Sequence, residues 1–157
     1  MEQAVKWIEL NRDAPKNHLY LTTHEDPYTV IGGIGLKPGG DIESHTGEVG
    51  YWLAETHWGS GLITEALEGF VSYTFLERDG DGSAPVEGKP AEVKKTRIFA
   101  TVVNGNTASM RILEKCGFKK EGVQKEHVRI RNGTLCDVHM YGLTKGDWDE
   151  WRRERGS

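Results

Sequence analysis

The sequence is poor in cysteine, with two residues in 157, Cys116 and Cys136. They form neither a CxxC pair nor a disulfide framework, which excludes a stapled secreted scaffold and points to a reducing compartment. Proline is scarce, at five residues. No apolar run approaches the roughly 18 residues that a membrane span needs. The opening MEQAVKWIEL carries an acid at its second position and no continuous apolar stretch, unlike a secretory leader. Positive charge is in deficit: 20 Lys and Arg against 24 Asp and Glu leave a net charge of −4. A broad basic field for duplex nucleic acid is therefore excluded. The six histidines show neither H-x-x-x-H nor H-E-x-x-H spacing, so no metal site is expected. What remains is a cytoplasmic protein with a small-molecule site, of a length that suits one domain with a single core.

Glycine, by contrast, is plentiful, with 20 residues, and it punctuates a readable order of elements. The spacing of Val5, Ile8 and Leu10 predicts a short helix over 3–12. Runs rich in β-formers predict strands over 18–23 and 28–36, joined as a hairpin by His24-Glu25-Asp26-Pro27, and a third over 48–54. From Gly61, an apolar stripe at Leu62, Ile63, Ala66, Leu67, Phe70 and Val71 predicts a long helix. Residues 77–95 mix glycine, proline and charge and read as a long loop. A buried-type strand follows over 97–103, then a helix over 106–116 that Gly117 ends. Strands over 118–130 and 135–144 meet at Asn132-Gly133, a two-residue hairpin signal that is also a glycosylation sequon with Thr134. Asp147-x-x-Glu150 resembles a capping box opening a last short helix with Trp148 and Trp151. The order is that of a mixed α/β domain spanning 1–157.

The most informative stretch runs from Tyr51 to Leu67 (YWLAETHWGSGLITEAL): a strand, a short loop, two glycines one residue apart, then a helix. Glycine permits a tight turn and close backbone approach, and a helix start offers unpaired N–H groups to an anion. The third glycine of a dinucleotide fingerprint is absent, as is a G-x-x-x-x-G-K-[ST] loop. The stretch resembles the pyrophosphate loop of the GNAT acetyltransferases, [Q/R]-x-x-G-x-[G/A], with Thr56 standing where Gln or Arg is usual. A second element, Asn104 to Phe118 (NGNTASMRILEKCGF), resembles the N-x-x-S-x-x-x-L-E-K-x-G-F element of the branch similar to ribosomal-protein N-terminal acetyltransferases. Glu121-Gly122, Asp137 and Tyr141 also fit that branch, and the resemblance covers nearly all of 3–151.

The resemblance implies the GNAT acyl-CoA transferase fold: a mixed, mostly antiparallel sheet with two splayed central strands, flanked by helices. The family usually has a further strand and helix before Glu2, so the chain is expected to start late within the fold. The implied reaction moves acetyl from acetyl-CoA to a primary amine, a peptide N-terminus or a small amine, by direct attack. Main-chain groups of Trp52 and Leu53 would pair with the pantetheine arm. The amides of Gly59, Ser60, Gly61 and Leu62, beside Trp58, would hold the pyrophosphate. Asn106 would reach the thioester region. Many members place a tyrosine where this chain has Leu113. The branch instead uses the serine of its N-x-x-S element near the sulfur, so Ser109 inherits that role, against the alternative of a serine bonded back to its helix. Glu48, on the strand before the loop, is the first candidate for the base, with a solvated strand-edge carboxylate as the alternative and Asp137 and Tyr141 as runners-up. Asp41, Glu43, His45 and Glu48 form an acidic rim suited to a cationic acceptor. His57 is either a phosphate contact or a surface histidine, and Cys116 reads as a core thiol. The family often forms homodimers. A non-catalytic acyl-CoA-binding or protein-interaction domain is the alternative function.

Overall fold

A computed structural model describes residues 18–76 and 94–156. The helix expected over 3–12 and nearly all of the loop expected over 77–95 lie outside the described residues. Six strands and three helices follow in the order β1 (His18–Leu21), β2 (Gly32–Pro38), β3 (Thr46–Leu53), α1 (Leu62–Leu76), β4 (Arg97–Val103), α2 (Thr107–Lys115), β5 (Lys119–Arg129), β6 (Leu135–Thr144) and α3 (Lys145–Arg155). The strands form one sheet in the order β1-β2-β3-β4-β6-β5. Every neighbouring pair is antiparallel except β3 with β4, which is parallel. This is the mixed, mostly antiparallel architecture that the resemblance implies.

The period of two along each strand sorts residues onto two faces. Ile34, Leu36 and Val49, Ile98, Ala100 and Val102, and Tyr141 and Leu143 are buried on the face that α1 and α2 cover. Leu67, Phe70, Val71 and Phe75 of α1 and Leu113 of α2 meet them there, so the helical stripe read from the sequence is the core stripe. On the opposite face of β2 and β3 the same alternation places Gly33, Gly35, Lys37, Glu48, Gly50 and Trp52.

Of the differences from the expected boundaries, three have a clear local reason. β2 begins at Gly32 instead of Tyr28, because the Asp26 carboxylate accepts hydrogen bonds from the amides of Tyr28 (3.1 Å) and Thr29 (3.2 Å) and holds that stretch in a turn. The β5–β6 loop is closed by Ile130 N–H donating to the Thr134 carbonyl at 3.0 Å, with Gly133 at φ 89°. It is thus a three-residue connection with a left-handed glycine, not a two-residue one. The cap of α3 lies one pattern earlier than expected: Thr144 Oγ1 accepts from Asp147 N–H at 3.1 Å. Asp147 is the third helical residue instead of the cap, because β6 runs directly into the helix and leaves Thr144 extended.

The end of α2 matches its sequence signal closely. Gly117 adopts φ 86°, its N–H donates to the Glu114 carbonyl, and Phe118 N–H donates to that of Leu113, the two bonds of a Schellman ending. A Cβ at Gly117 would lie 2.9 Å from the Trp151 ring. Gly117→Ala should therefore cost more than the roughly 1–2 kcal/mol of a left-handed non-glycine residue, read as a lowered urea midpoint with unchanged slope.

Candidate active site

The parallel pairing of β3 with β4 is short. It joins Thr46 to Arg97, Gly47 to Ile98 and Glu48 to Phe99, and then stops, although β3 continues to Leu53 and β4 to Val103. Each strand keeps its outer partner throughout, β3 with β2 and β4 with β6, so the sheet opens into a wedge beyond Glu48. Ala54 N–H donates to the Ile31 carbonyl and Gly39 N–H to that of Thr46. Antiparallel parity then directs the main-chain groups of even-numbered β3 residues to β2 and those of Val49, Tyr51 and Leu53 into the wedge. Of the two residues expected to offer main-chain bonds there, Leu53 faces the wedge and Trp52 faces β2. The Leu53 carbonyl also accepts from the Trp58 indole N–H at 2.9 Å.

At the far end of β3 the chain makes the glycine turn. Residues 55–57 form one short helical turn, and Gly59 and Gly61 take φ of 74° and 84°, values that favour glycine. A Cβ built on either meets nothing within 4 Å, so both α-carbons face open space. The Ser60 hydroxyl donates to the His57 carbonyl at 2.6 Å, which ties the loop to itself. The first intrahelical bond of α1 runs from Glu65 N–H to the Gly61 carbonyl, so the amides of Leu62, Ile63 and Thr64 begin a helix without intrahelical partners. Two bare α-carbons beside a helix start suit a phosphate group. Trp58 is largely exposed beside them, and His57 is half-buried.

The start of α2 forms the helix-side wall of the wedge. Asn106 caps it, its Oδ1 accepting from Ser109 N–H at 3.2 Å, which leaves the Asn106 amide hydrogens as donors. The Ser109 hydroxyl lies 2.8 Å from the Tyr51 hydroxyl, and this contact, not a helix carbonyl, is its hydrogen bond. Burial pushes the Tyr51 phenol up to about 12, so it keeps its hydrogen at neutral pH. Tyr51 is the residue that sequence reasoning missed. Nothing in the sequence placed it against Ser109. Leu113 is wholly buried in the core, as is Cys116. Burial pushes the Cys116 thiol up to about 12, which suits packing and not attack.

Glu48 stands at the last paired rung, on the face opposite α1 and α2. Thr101 Oγ1 donates to its Oε1 at 2.6 Å. This bridge lies between two clefts, one of about 360 Å³ over Gly33, Gly35 and Gly50 with His18, Tyr20 and Trp52 at its walls, and one of about 320 Å³ lined by Phe99, His127 and Met140. Glu48 and Thr101 line both.

The structure does not bring the other base candidates to this point. Asp137 accepts from Lys125 Nζ at 2.7 Å and from Glu126 N–H at 2.9 Å, and these bonds hold its carboxyl below the usual range, making it a poor base. Tyr141 is buried beneath α2 and donates to Glu114 at 3.0 Å. Asp41, Glu43 and His45 precede β3, at the end opposite the glycine turn, so only Glu48 of the acidic rim reaches the wedge. Among the described residues, no group of three His, Cys, Asp or Glu side chains is placed to share a metal ion, and no helix is long and apolar enough to cross a membrane.

Comparison with known proteins shows similarity in sequence and in fold. A family model described as "Acetyltransferase (GNAT) domain" matches residues 1–119. The chain is 31% identical over 119 residues to the "uncharacterized N-acetyltransferase p20" of Bacillus licheniformis, covering 76% of this chain and 57% of that one. The chain spans about half the length of the curated relatives it matches. Among solved structures, the ribosomal-protein-S5-alanine acetyltransferase of Vibrio fischeri superposes with a TM-score of 0.70 at 21% identity, covering 93% of this chain and 71% of that one. Mycobacterium smegmatis RimJ, solved in complex with CoA-disulfide, superposes with a TM-score of 0.66 at 21% identity, covering 93% and 61%.

Proposed function

This chain belongs to the GNAT acetyltransferase family, and from that premise we propose that it transfers acetyl from acetyl-CoA to a primary amine, with a peptide N-terminus as the acceptor. The observation that carries the reading is the wedge that opens beyond the Glu48–Phe99 rung, with the glycine turn at one margin and Ser109 at the other. The RimJ structure with CoA-disulfide shares this fold, which supports coenzyme A as the occupant. A peptide acceptor is supported by 30% identity over 109 residues to the putative ribosomal N-acetyltransferase YdaF of Bacillus subtilis.

The residues present fit acetyl-CoA. Bare α-carbons at Gly59 and Gly61 leave room for a pyrophosphate on the amides of Gly59, Ser60, Gly61 and Leu62, with the Trp58 ring beside them. Leu53 offers its N–H to an extended pantetheine arm, and Trp52 contributes through its side chain. The Asn106 amide hydrogens lie at the start of α2, next to Ser109. Bound there, acetyl-CoA supplies an acyl thioester. Glu48 accepts, through a water, the proton that the substrate ammonium must lose before its amine can attack. Ser109 donates a hydrogen bond to the sulfur as negative charge gathers on it. Holding amine and acyl carbon together provides most of the acceleration, and no acyl-enzyme is needed.

The proposal is tested by following thiol release from acetyl-CoA with a panel of short peptides and small amines. It expects release that depends on the amine and is greatest with a peptide N-terminus. Binding of acetyl-CoA with no release on any amine would favour a non-catalytic acyl-CoA-binding domain instead.

A further inference from the structure

Tyr51 carries a hydroxyl that packing does not explain. As an odd-numbered residue of β3 it turns its ring to the helix side, where it packs against the core, and phenylalanine would fill that space equally well. The hydroxyl crosses from β3 to the first turn of α2, over the line where β3 and β4 have ceased to pair. Both of its contacts there are with one residue: it lies 2.8 Å from Ser109 Oγ and donates to the Ser109 carbonyl at 3.3 Å.

We propose that Tyr51 is a positioning residue for Ser109, holding the serine oxygen so that its hydrogen turns into the wedge as negative charge develops there. The inference rests on the acetyl-transfer reading above and deepens it. A tyrosine has one hydrogen to give, and two acceptors are within its reach. In one arrangement Tyr51 donates to the Ser109 carbonyl while Ser109 Oγ–H donates to the Tyr51 oxygen. In the other, Tyr51 donates to Ser109 Oγ, and the serine hydrogen is released toward the wedge. Passing between them rotates two O–H bonds and moves no heavy atom.

The second arrangement gains only when an electron-rich acceptor stands beside Ser109, so its stabilisation grows with the thiolate and belongs to the transition state. In that step the acyl carbon–sulfur bond breaks with its electron pair left on sulfur. The new carbon–nitrogen bond forms from the amine's pair once Glu48 has taken the first proton from the ammonium, and the second proton on that nitrogen passes to the departing sulfur, which leaves as the thiol. Ser109 and Tyr51 keep their hydrogens and supply hydrogen bonds alone. The Asn106 cap on Ser109 N–H fixes the serine from its other side.

The test is a double-substitution cycle in the full chain with Tyr51→Phe, Ser109→Ala and both together, reading kcat, the KM for acetyl-CoA and thermal midpoints. Tyr51→Phe should lower kcat roughly five- to tenfold, the scale of one lost hydrogen bond, with the KM for acetyl-CoA unchanged. In the Ser109→Ala background the same change should have no further effect on kcat, because the two act as one unit. Tyr51→Phe leaving kcat unchanged, raising KM alone, or lowering kcat equally in both backgrounds would overturn the role. Absence of amine-dependent turnover by the unmodified chain would overturn the acetyl-transfer reading and this role with it, a result distinct from an active chain indifferent to Tyr51→Phe.

Discussion

Glu48→Gln is expected to lower kcat for amine acetylation by about 10²–10³-fold, within the usual range for loss of a positioned base, while leaving acetyl-CoA affinity unchanged. Glutamine keeps the length of the side chain and an oxygen to accept from Thr101 Oγ1, which now reaches Glu48 at 2.6 Å. The fold and the bridge between the two clefts should therefore survive, and what is lost is a group able to take a proton. Glu48 lies on the face opposite α1 and α2, whereas the proposed seat of acetyl-CoA is at the amides of the glycine turn and the start of α1, so the two readouts separate. Steady-state kinetics with a saturating peptide amine, together with an acetyl-CoA titration, check this. Unchanged turnover would make Glu48 a strand-edge carboxylate paired with Thr101 and nothing more.

The second large effect belongs to the glycine turn. Gly59→Ala and Gly61→Ala each force a side chain into a left-handed backbone, at roughly 1–2 kcal/mol. Among the described residues, nothing beyond the chain neighbours lies within 4 Å of either Cβ position to oppose the added methyl. Stability should thus fall only by the strain, and the chain should fold. The methyl instead occupies the open space from which, in the proposed reading, a phosphate would approach the amides. The double variant should bind acetyl-CoA about a hundredfold more weakly, equivalent to roughly 2.8 kcal/mol. Calorimetric titration of the folded variant measures this, and full affinity in it would remove the turn as the anion seat.

The legible parts of the molecule are those whose cause is local. Gly59, Gly61 and Gly117 announce their turns because few other residues tolerate positive φ. The β4 and β6 boundaries agree with expectation, since apolar runs and turn residues define both strands. The cap of α3 was read at Asp147-x-x-Glu150, whereas Thr144, the last residue of β6, supplies it. The site was less legible because its geometry is made by pairing that stops. No residue in β3 or β4 encodes the end of their ladder at Glu48 and Phe99; it arises from the twist of two half-sheets, each held by its outer strand. For the same reason Tyr51 gave no signal of its partner, which lies 58 positions away. Asp137 and Tyr141 looked suitable by type, but a lysine 12 positions away and a buried bed beneath α2 take them out of play.

Every role assigned to Glu48, Tyr51, Ser109 and the glycine turn depends on acetyl-CoA seated in the wedge between β3 and β4. A thermal melt with and without excess acetyl-CoA tests this most directly. At a hundred times the Kd, a ligand stabilises the native state by about 2.7 kcal/mol, which for a domain of this size raises Tm by roughly 5 °C. The account predicts that rise for the unmodified chain and its loss in the Gly59→Ala, Gly61→Ala double variant at the same ligand concentration. An unchanged Tm in the unmodified chain at millimolar acetyl-CoA would contradict it.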